Sequence, residues 1–428
     1  MSQTQTTAEL APSLREADAG YENRMLAVTS LMVGFVAFDR LALGYLAPYL
    51  VKAFHLSNTQ IGALYAAQAA AAALGGYVAG YVSDRTGWRK QIVAPLLVLM
   101  AVFNVLSGFA AGFASLLCLR VMAGATEGPI AAVTQSTVSI QSSAHRRGVN
   151  MGVVTLSMFL ISQMASPILL TRLADRWGWS AGFMAPAAPA LLLALAAALI
   201  LRQAPAPAKS IVDAPQQPGN SPDTCPRNVW VCAAVSMIFM CWLVIHSTFL
   251  PLYLVQVRGM SPAQMGLLLS VLGLAGCLGG LAYPALSDRI GRRPTMVIAM
   301  LCATLTPIGV LFAHSSIGLL AAALFAGWLS VGALPIYTVV IPGESVAPGR
   351  AATTIAMVMA CGELVGGVIG PLAAGRLADQ LGLVTPFWFT AAAVLICAAL
   401  SLLLAEGRPR PRPAPSGSTP QGSRMRSR

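Results

Sequence analysis

Apolar residues in this chain do not alternate with polar ones. They run in blocks, and blocks such as 93–110, 187–201 and 387–404 hold no charged residue at all. A helix needs about 20 predominantly apolar residues to cross the hydrocarbon core of a bilayer. The pattern predicts twelve such helices, over 25–51, 57–82, 91–112, 113–140, 147–173, 180–202, 228–256, 262–287, 294–313, 315–340, 351–378 and 384–405. Together they use up the chain and leave no room for a sizeable soluble domain. The predicted organisation is an N-terminal segment (1–24), a six-helix bundle (25–202), a linker rich in Pro, Gln and Asp (203–227), a second six-helix bundle (228–405) and a basic tail (406–428).

Composition agrees with an all-α integral membrane protein. Hydrophobic residues make up 56% of the 428 positions and charged residues only 10%, against about 25% charged in soluble domains. The first two dozen residues are polar and contain no apolar run, so no cleavable signal peptide is expected. The net charge of +12 is unevenly placed. If both termini and the even-numbered loops are cytoplasmic, the opposite side holds Lys52, Arg172, Arg176, Arg258 and Arg376. Arg40 and Arg120 lie inside helices, and every other basic residue falls on the cytoplasmic side. That asymmetry follows the positive-inside rule and places the protein in the cytoplasmic (inner) membrane with its termini inside. The positive charge is thus topological, and no nucleic-acid partner is expected. The arginines of the tail sit among Pro, Ser and Gly, as in an arm lying near anionic headgroups. The eight cysteines have no metal-binding spacing and read as small packing residues, with no metal or other cofactor implied.

The halves repeat. Ser83-Asp84-Arg85-Thr86-Gly87-Trp88-Arg89-Lys90 matches Ser287-Asp288-Arg289-Ile290-Gly291-Arg292-Arg293-Pro294, 204 positions later. The same offset relates Ser57-Asn58-Thr59-Gln60 to Ser261-Pro262-Ala263-Gln264, and Pro167 to Gly178 with Pro371 to Gly382. Three stretches at one offset indicate two parallel six-helix repeats. The D-R-x-G-x-[RK] loops resemble the signature of the major facilitator superfamily, over about residues 25–405. The resemblance implies that Asp84, Arg85 and Arg89, with Asp288, Arg289 and Arg292, latch the cytoplasmic side while the outside is open. Positive-inside anchoring alone is the simpler alternative.

Ionisable residues at membrane depth default to a functional reading. Here they are Asp39 and Arg40 in the first helix, Arg120 and Glu127 in the fourth, and Glu363 in the eleventh. Adjacent Asp39 and Arg40 point in different directions, so one can face a cavity and the other a helix partner. Arg120 and Glu127, seven residues apart, share a face roughly 10 Å apart along the axis, in the manner of a stepwise relay. Their counterparts in the other half are Trp242 and Leu243, Leu324 and Val331, and Phe159 for Glu363, so the charges break the symmetry of the scaffold.

Phe38-Asp39-Arg40 together with Arg120-x-x-x-Gly124-x-x-Glu127-Gly128-Pro129 resembles the anion:cation symporter family, whose members carry sugar acids and other organic anions. The resemblance implies that Arg40 meets the substrate carboxylate, that Asp39 and Glu127 take up protons, and that Arg120 couples to Glu127. A guanidinium binds a carboxylate bidentately and keeps its charge. Burial disfavours the charged form of a carboxylic acid, which suits a proton carrier. A structural ion pair between Asp39 and Arg120 is the alternative. The second helix, with Ala66-Ala67-Gln68-Ala69-Ala70-Ala71-Ala72-Ala73, offers little to a polyol. Polar candidates for the cavity are Tyr45, Tyr65, Gln68, Gln135, Gln163 and Tyr337, and the seventh helix adds Trp242, His246, Phe249 and Tyr253, with a packed, hydrogen-bonded role as the alternative for His246. Glu363 is a further site or proton residue, with a polar contact between helices as the alternative. The expectation is proton-coupled uptake of an aromatic or fairly apolar monocarboxylate by a functional monomer. Sugar-acid symport and drug or metabolite efflux are the alternatives. Efflux fits less well, because Ser166-Pro167-Ile168-Leu169 stands where efflux antiporters resembling this scaffold have Gly-Pro-x-x-Gly-Gly. No enzyme motif is present.

Overall fold

The structure, a computed structural model, describes residues 3–143, 145–202, 225–314, 316–347 and 350–405. The expected linker lies outside them except for its last three residues, and the expected tail lies outside them entirely. Among the described residues twelve helices are long and apolar enough to cross a membrane. In the first half they are α1 (Gly20–Phe54), α2 (Asn58–Thr86), α3 (Arg89–Ser107), α4 (Phe113–Gln141), α5 (Arg147–Trp177) and α6 (Trp179–Ile200). In the second they are α7 (Pro226–Gln256), α8 (Pro262–Ile290), α9 (Arg292–Phe312), α10 (Ile317–Glu344), α11 (Thr353–Leu381) and α12 (Thr385–Leu402). Two boundaries differ most from expectation. The helix that contains α1 begins at Gln3, so the segment expected before it is continuous with it. The third helix stops at Ser107 rather than 112, because Gly108 caps it and the chain turns over Gly108–Gly112 before α4.

The sequence repeat becomes a structural repeat through local devices. Ser57 and Gln60 form a capping box at the start of α2, each side chain accepting a hydrogen bond from the other's backbone N–H, and Ser261 and Gln264 do the same for α8. Gly87 and Gly291 close α2 and α8 with φ of 70° and 98°, a backbone region that strains a side chain. α5 and α11 each contain a π-helical segment, Phe159–Ala165 and Glu363–Ile369, at the same offset of 204. Such segments concentrate at functional sites.

Glycines then set how closely the helices approach. A Cβ at Gly62 on α2 would lie 2.2 Å from the Pro371 carbonyl oxygen on α11. A Cβ at Gly266 on α8 would lie 2.7 Å from that of Pro167 on α5. These contacts are related by the pseudo-two-fold of the repeat, and both join one half to the other. Asn58 and Thr59, at the start of α2, donate backbone hydrogen bonds of 2.8 and 2.9 Å to the Asp379 carboxylate of α11. The halves therefore meet tightly at the end that carries Asn58 and Asp379. At the opposite end, which carries Asp84 and Asp288, no hydrogen bond or ion pair joins the halves among the described residues. The periphery is apolar, with Leu74, Leu199 and Leu281 among the widely exposed side chains, while Asp39, Arg120 and Glu127 are buried. That inversion of soluble-protein order matches lipid as the outer solvent.

Candidate functional site

α1 distributes two adjacent charges to two compartments, as the roughly 100° step of a helix requires. Asp39 turns into the first half. Its Oδ1 lies 3.4 Å from Nη1 of Arg120 on α4, and both side chains are fully buried. Arg120 also donates to Asn104 Oδ1 at 3.1 Å and to the Ser107 hydroxyl, both on α3, and its guanidinium lies 4.8 Å from the centre of the Phe183 ring on α6. It thereby ties four helices together. Asn104, Ser107 and Phe183 escaped the sequence reading. They are single polar or aromatic positions inside apolar helices, and only the fold brings them to Arg120.

Glu127, one face-turn along α4, accepts a 2.8 Å hydrogen bond from Nε2 of Gln68 on α2 and faces Asp39. The second oxygens of Asp39 and Glu127 are buried and have no hydrogen-bond partner. The order is thus Arg120, Asp39, Glu127, Gln68. Among the described residues the hydrogen bonds of Arg120 go to Asp39 and α3, and none goes to Glu127, in keeping with the spaced, stepwise arrangement expected for the two on α4.

Arg40 faces the centre of the molecule. It forms an ion pair across the interface with Glu363, the first residue of the π segment in α11. The Arg40 and Glu363 side chains stay 39% and 25% exposed, because they line a central cavity of about 160 Å³. That volume is below the roughly 300 Å³ at which drug-sized sites begin and suits a small ligand. Tyr65, Gln68, Gln163 and Ser247 complete its polar wall, and Met240, Leu243 and Val244 of α7 supply much of its apolar wall. Gln163 is held from behind by the Trp328 indole, which donates to Gln163 Oε1 at 2.8 Å.

Other candidates lie elsewhere. Trp242, His246 and Tyr337 are essentially unexposed and belong to an aromatic block of the second half. Trp242 stacks on Phe239 with ring centres 4.9 Å apart, contacts His246 and Trp328, and Phe239 meets Tyr337 edge-on. These three are therefore corrected from cavity residues to packing behind the cavity. The reason is helical phase: Trp242 and His246 share one stripe of α7, and the cavity takes the neighbouring stripe with Met240, Leu243, Val244 and Ser247. Tyr45 is buried with its hydroxyl 3.4 Å from the Ser162 carbonyl, and Phe249 and Tyr253 are buried in the core. Gln135 is exposed outside the cavity lining.

Where α8 meets α9, Arg292 donates to Asp288 at 2.6 Å and to Glu344, at the end of α10, at 3.0 Å. Where α2 meets α3, Arg85 lies over the Tyr81 ring, Arg89 is buried, and Asp84 is exposed. Asp288 and Arg289 are exposed. Among the described residues, none of these bridges the halves.

The profile of the Major Facilitator Superfamily matches residues 29–362 and again 247–427. The chain belongs to that superfamily. It is 25% identical over 388 residues to the hexuronate transporter of Bacillus subtilis (strain 168), covering 85% of this chain and 90% of that one. It is 28% identical over 431 residues to the gallate transporter of Pseudomonas putida, covering 91% and 92%. Among solved structures, a bacterial homologue of the human lysosomal transporter Spinster, in an inward-facing and unoccupied conformation, superposes with a TM-score of 0.68. It is 18% identical and covers 90% of this chain and 96% of that one. The doubled six-helix fold read from the 204-residue repeat is thus that of the superfamily.

Proposed function

We propose that this protein carries small organic carboxylates across the cytoplasmic membrane by alternating access, driven by proton symport. The observation that carries the reading is Arg40: a guanidinium on the cavity wall, reachable from the cavity, and already engaged with a carboxylate, that of Glu363. A substrate carboxylate offers the same atoms. The gallate and hexuronate carriers among its relatives are named for organic acids, which supports the same chemistry here.

Charge counting supports a proton partner. Among the described residues, Asp39, Glu127 and Glu363 face only Arg40 and Arg120 in the interior, so a neutral interior requires one proton. Asp39 and Glu127, each buried with one carboxyl oxygen that has no hydrogen-bond partner, are the natural place for it. Importing a proton with the anion also offsets the work of moving negative charge against an inside-negative potential, about 2.3 kcal/mol per charge per 100 mV. With both termini cytoplasmic, the sealed Asn58 end is the outside, and the conformation is inward-open. The loops at Asp84 and Asp288 then stand apart, ready to latch when the carrier turns outward. No resident cofactor is required, and the pocket is complete within one chain.

The body of the substrate meets Leu41, Ala69, Met240, Leu243 and Val244. The amides that a polyol would need are partly committed, Gln68 to Glu127 and Gln163 to Trp328. An aromatic or otherwise compact apolar acid therefore fits better than a sugar acid. Uptake into proteoliposomes of benzoate, gallate and a hexuronate, with and without an inward proton gradient, tests this. Gradient-driven uptake of the aromatic acids, abolished by Arg40→Ala, is expected. Preference for the hexuronate would move the substrate to the sugar acids, and saturable carboxylate uptake by Arg40→Ala would remove the anchor.

A further inference from the structure

Resting on the reading of Arg40 as the carboxylate anchor, we propose that Glu363 is an internal stand-in for the substrate: it holds Arg40 when the cavity is empty, and each incoming carboxylate displaces it as it takes up a proton.

Three observations lead here. The Arg40–Glu363 pair crosses between the halves inside the cavity that would receive the ligand, so ligand and Glu363 compete for one guanidinium. Glu363 opens a π-helical segment, and its carboxyl packs back against its own helix: a Cβ at Gly367 would lie 3.2 Å from the Glu363 carboxyl carbon. That position exists in both halves, but its counterpart Phe159 is a packed core residue, so neither the fold nor the π segment demands an acid there. Finally, the charge balance is tight. Arg40 and Glu363 sum to zero, and an added carboxylate would leave the cavity with one net negative charge in a low-dielectric surround.

The exchange balances. Before binding, the site holds one guanidinium and one carboxylate. The guanidinium passes its hydrogen bonds from Glu363 Oε1 to an oxygen of the ligand carboxylate. One proton, entering through the open end of the cavity, converts Glu363 to the neutral acid. After binding, the site again holds one positive and one negative charge, the latter now on the ligand. The ionisable groups that face Glu363 or act on its partner are few. They are Arg40 on α1, Tyr65 on α2, and Glu127 on α4, which acts on Arg40. Cys241 on α7 is bonded to the Val365 carbonyl of the same π segment. His246 is turned away into the aromatic block.

The stand-in differs from an acid that touches the substrate. A contact to a hydroxyl or ammonium on the ligand would be lost in Glu363→Gln, and affinity would fall. A competitor removed by the same change raises affinity, above all at high pH, where the proton that must accompany its displacement is scarce. The test is calorimetric titration of purified full-length protein in lipid nanodiscs with benzoate and with gallate, in two buffers of different ionisation enthalpy, from pH 6 to 8. For the wild type, the expected Kd weakens with rising pH, and about one proton per ligand is taken up beyond any reaching Asp39 and Glu127. For Glu363→Gln, the Kd at pH 8 is expected to tighten about tenfold, the pH slope to fall by up to tenfold per pH unit, and proton uptake to drop by about one. Glu363→Ala serves as a second variant, with the same signs, and size-exclusion profiles check folding. Weaker binding by Glu363→Gln with unchanged proton uptake, while Arg40→Ala abolishes binding, would overturn the stand-in and keep the anchor. Equal binding by wild type and Arg40→Ala, or binding of neither acid by the wild type, would overturn the anchor and the stand-in with it.

Discussion

Asp379 and Asp175 occupy the same place in the two halves but bond differently. Asp379 reaches across the interface and caps the start of α2 through the backbone N–H groups of Asn58 and Thr59 and the Thr59 hydroxyl. Asp175 stays in its own half and accepts a 2.7 Å hydrogen bond from Tyr49. The reason is in the sequence of the partner helix: where α2 has Asn58 and Thr59, α8 has Pro262 and Ala263, which lack one backbone donor and one hydroxyl. The sealed end is therefore latched on one side only.

Asp379→Ala should loosen that end far more than Asp175→Ala. Loss of three charge-assisted hydrogen bonds at an exposed helix start is expected to shift the balance of the two orientations about tenfold toward the state open at the Asn58 end. Double electron–electron resonance between spin labels on Lys52 and Arg376 would read this as a second, longer distance. An unchanged distribution would show that the latch is ornamental.

Gly62→Ala should act on the same equilibrium by sterics. Its Cβ would meet a backbone carbonyl at 2.2 Å, and backbone does not yield as a flexible side chain would. Closure at the Asn58 end becomes strained, and turnover should fall at least tenfold with ligand binding retained. Zero-trans uptake compared with equilibrium binding separates the two. Gly266→Ala, the pseudo-symmetric change, should behave likewise and somewhat more mildly.

Arg120→Leu should destabilise the first half by about 3–5 kcal/mol, because it strands the Asp39 carboxylate without its buried partner. Asp39→Leu added to it should recover part of the loss. Thermal unfolding of the purified protein gives both values. An Arg120→Leu melting point equal to that of the wild type would deny the pin between α1, α3, α4 and α6.

Glu127→Gln should separate binding from energy coupling. Gln68 keeps a hydrogen-bonding partner, so folding and counterflow exchange should persist. Accumulation against a gradient should fall to what the Glu363 proton alone can drive, and the stimulation of uptake by acid outside should weaken. Both are measured in proteoliposomes, and full accumulation by the variant would assign the proton elsewhere.

Much of this was legible in the sequence, for identifiable reasons. Apolar blocks of membrane length define helices without tertiary information, and the constant offset of 204 relates the two halves. The divergence of Asp39 and Arg40 follows from helical geometry alone. What could not be read was helical phase relative to the cavity. Trp242 and Ser247 are five residues apart on one uniformly apolar helix, and no polar stripe marks which of them faces inward. Nor could the partners of Arg120 be read, since Asn104 and Ser107 reach it only when α3 packs on α4. The pairing of Arg40 with Glu363 spans 323 positions, and only closure of the two halves on each other reveals it.

The π segments at Phe159–Ala165 and Glu363–Ile369 bear on ancestry. A π turn holds one residue more than the α turn it replaces. An extra residue gained by one half after duplication would have broken the constant spacing on its far side. Yet the spacing is 204 both before the segments, at Ser83 and Ser287, and after them, at Gly178 and Gly382. The simplest history puts the bulge in the single ancestral six-helix gene, and places the divergence between Phe159 and Glu363 later, on a kink already built.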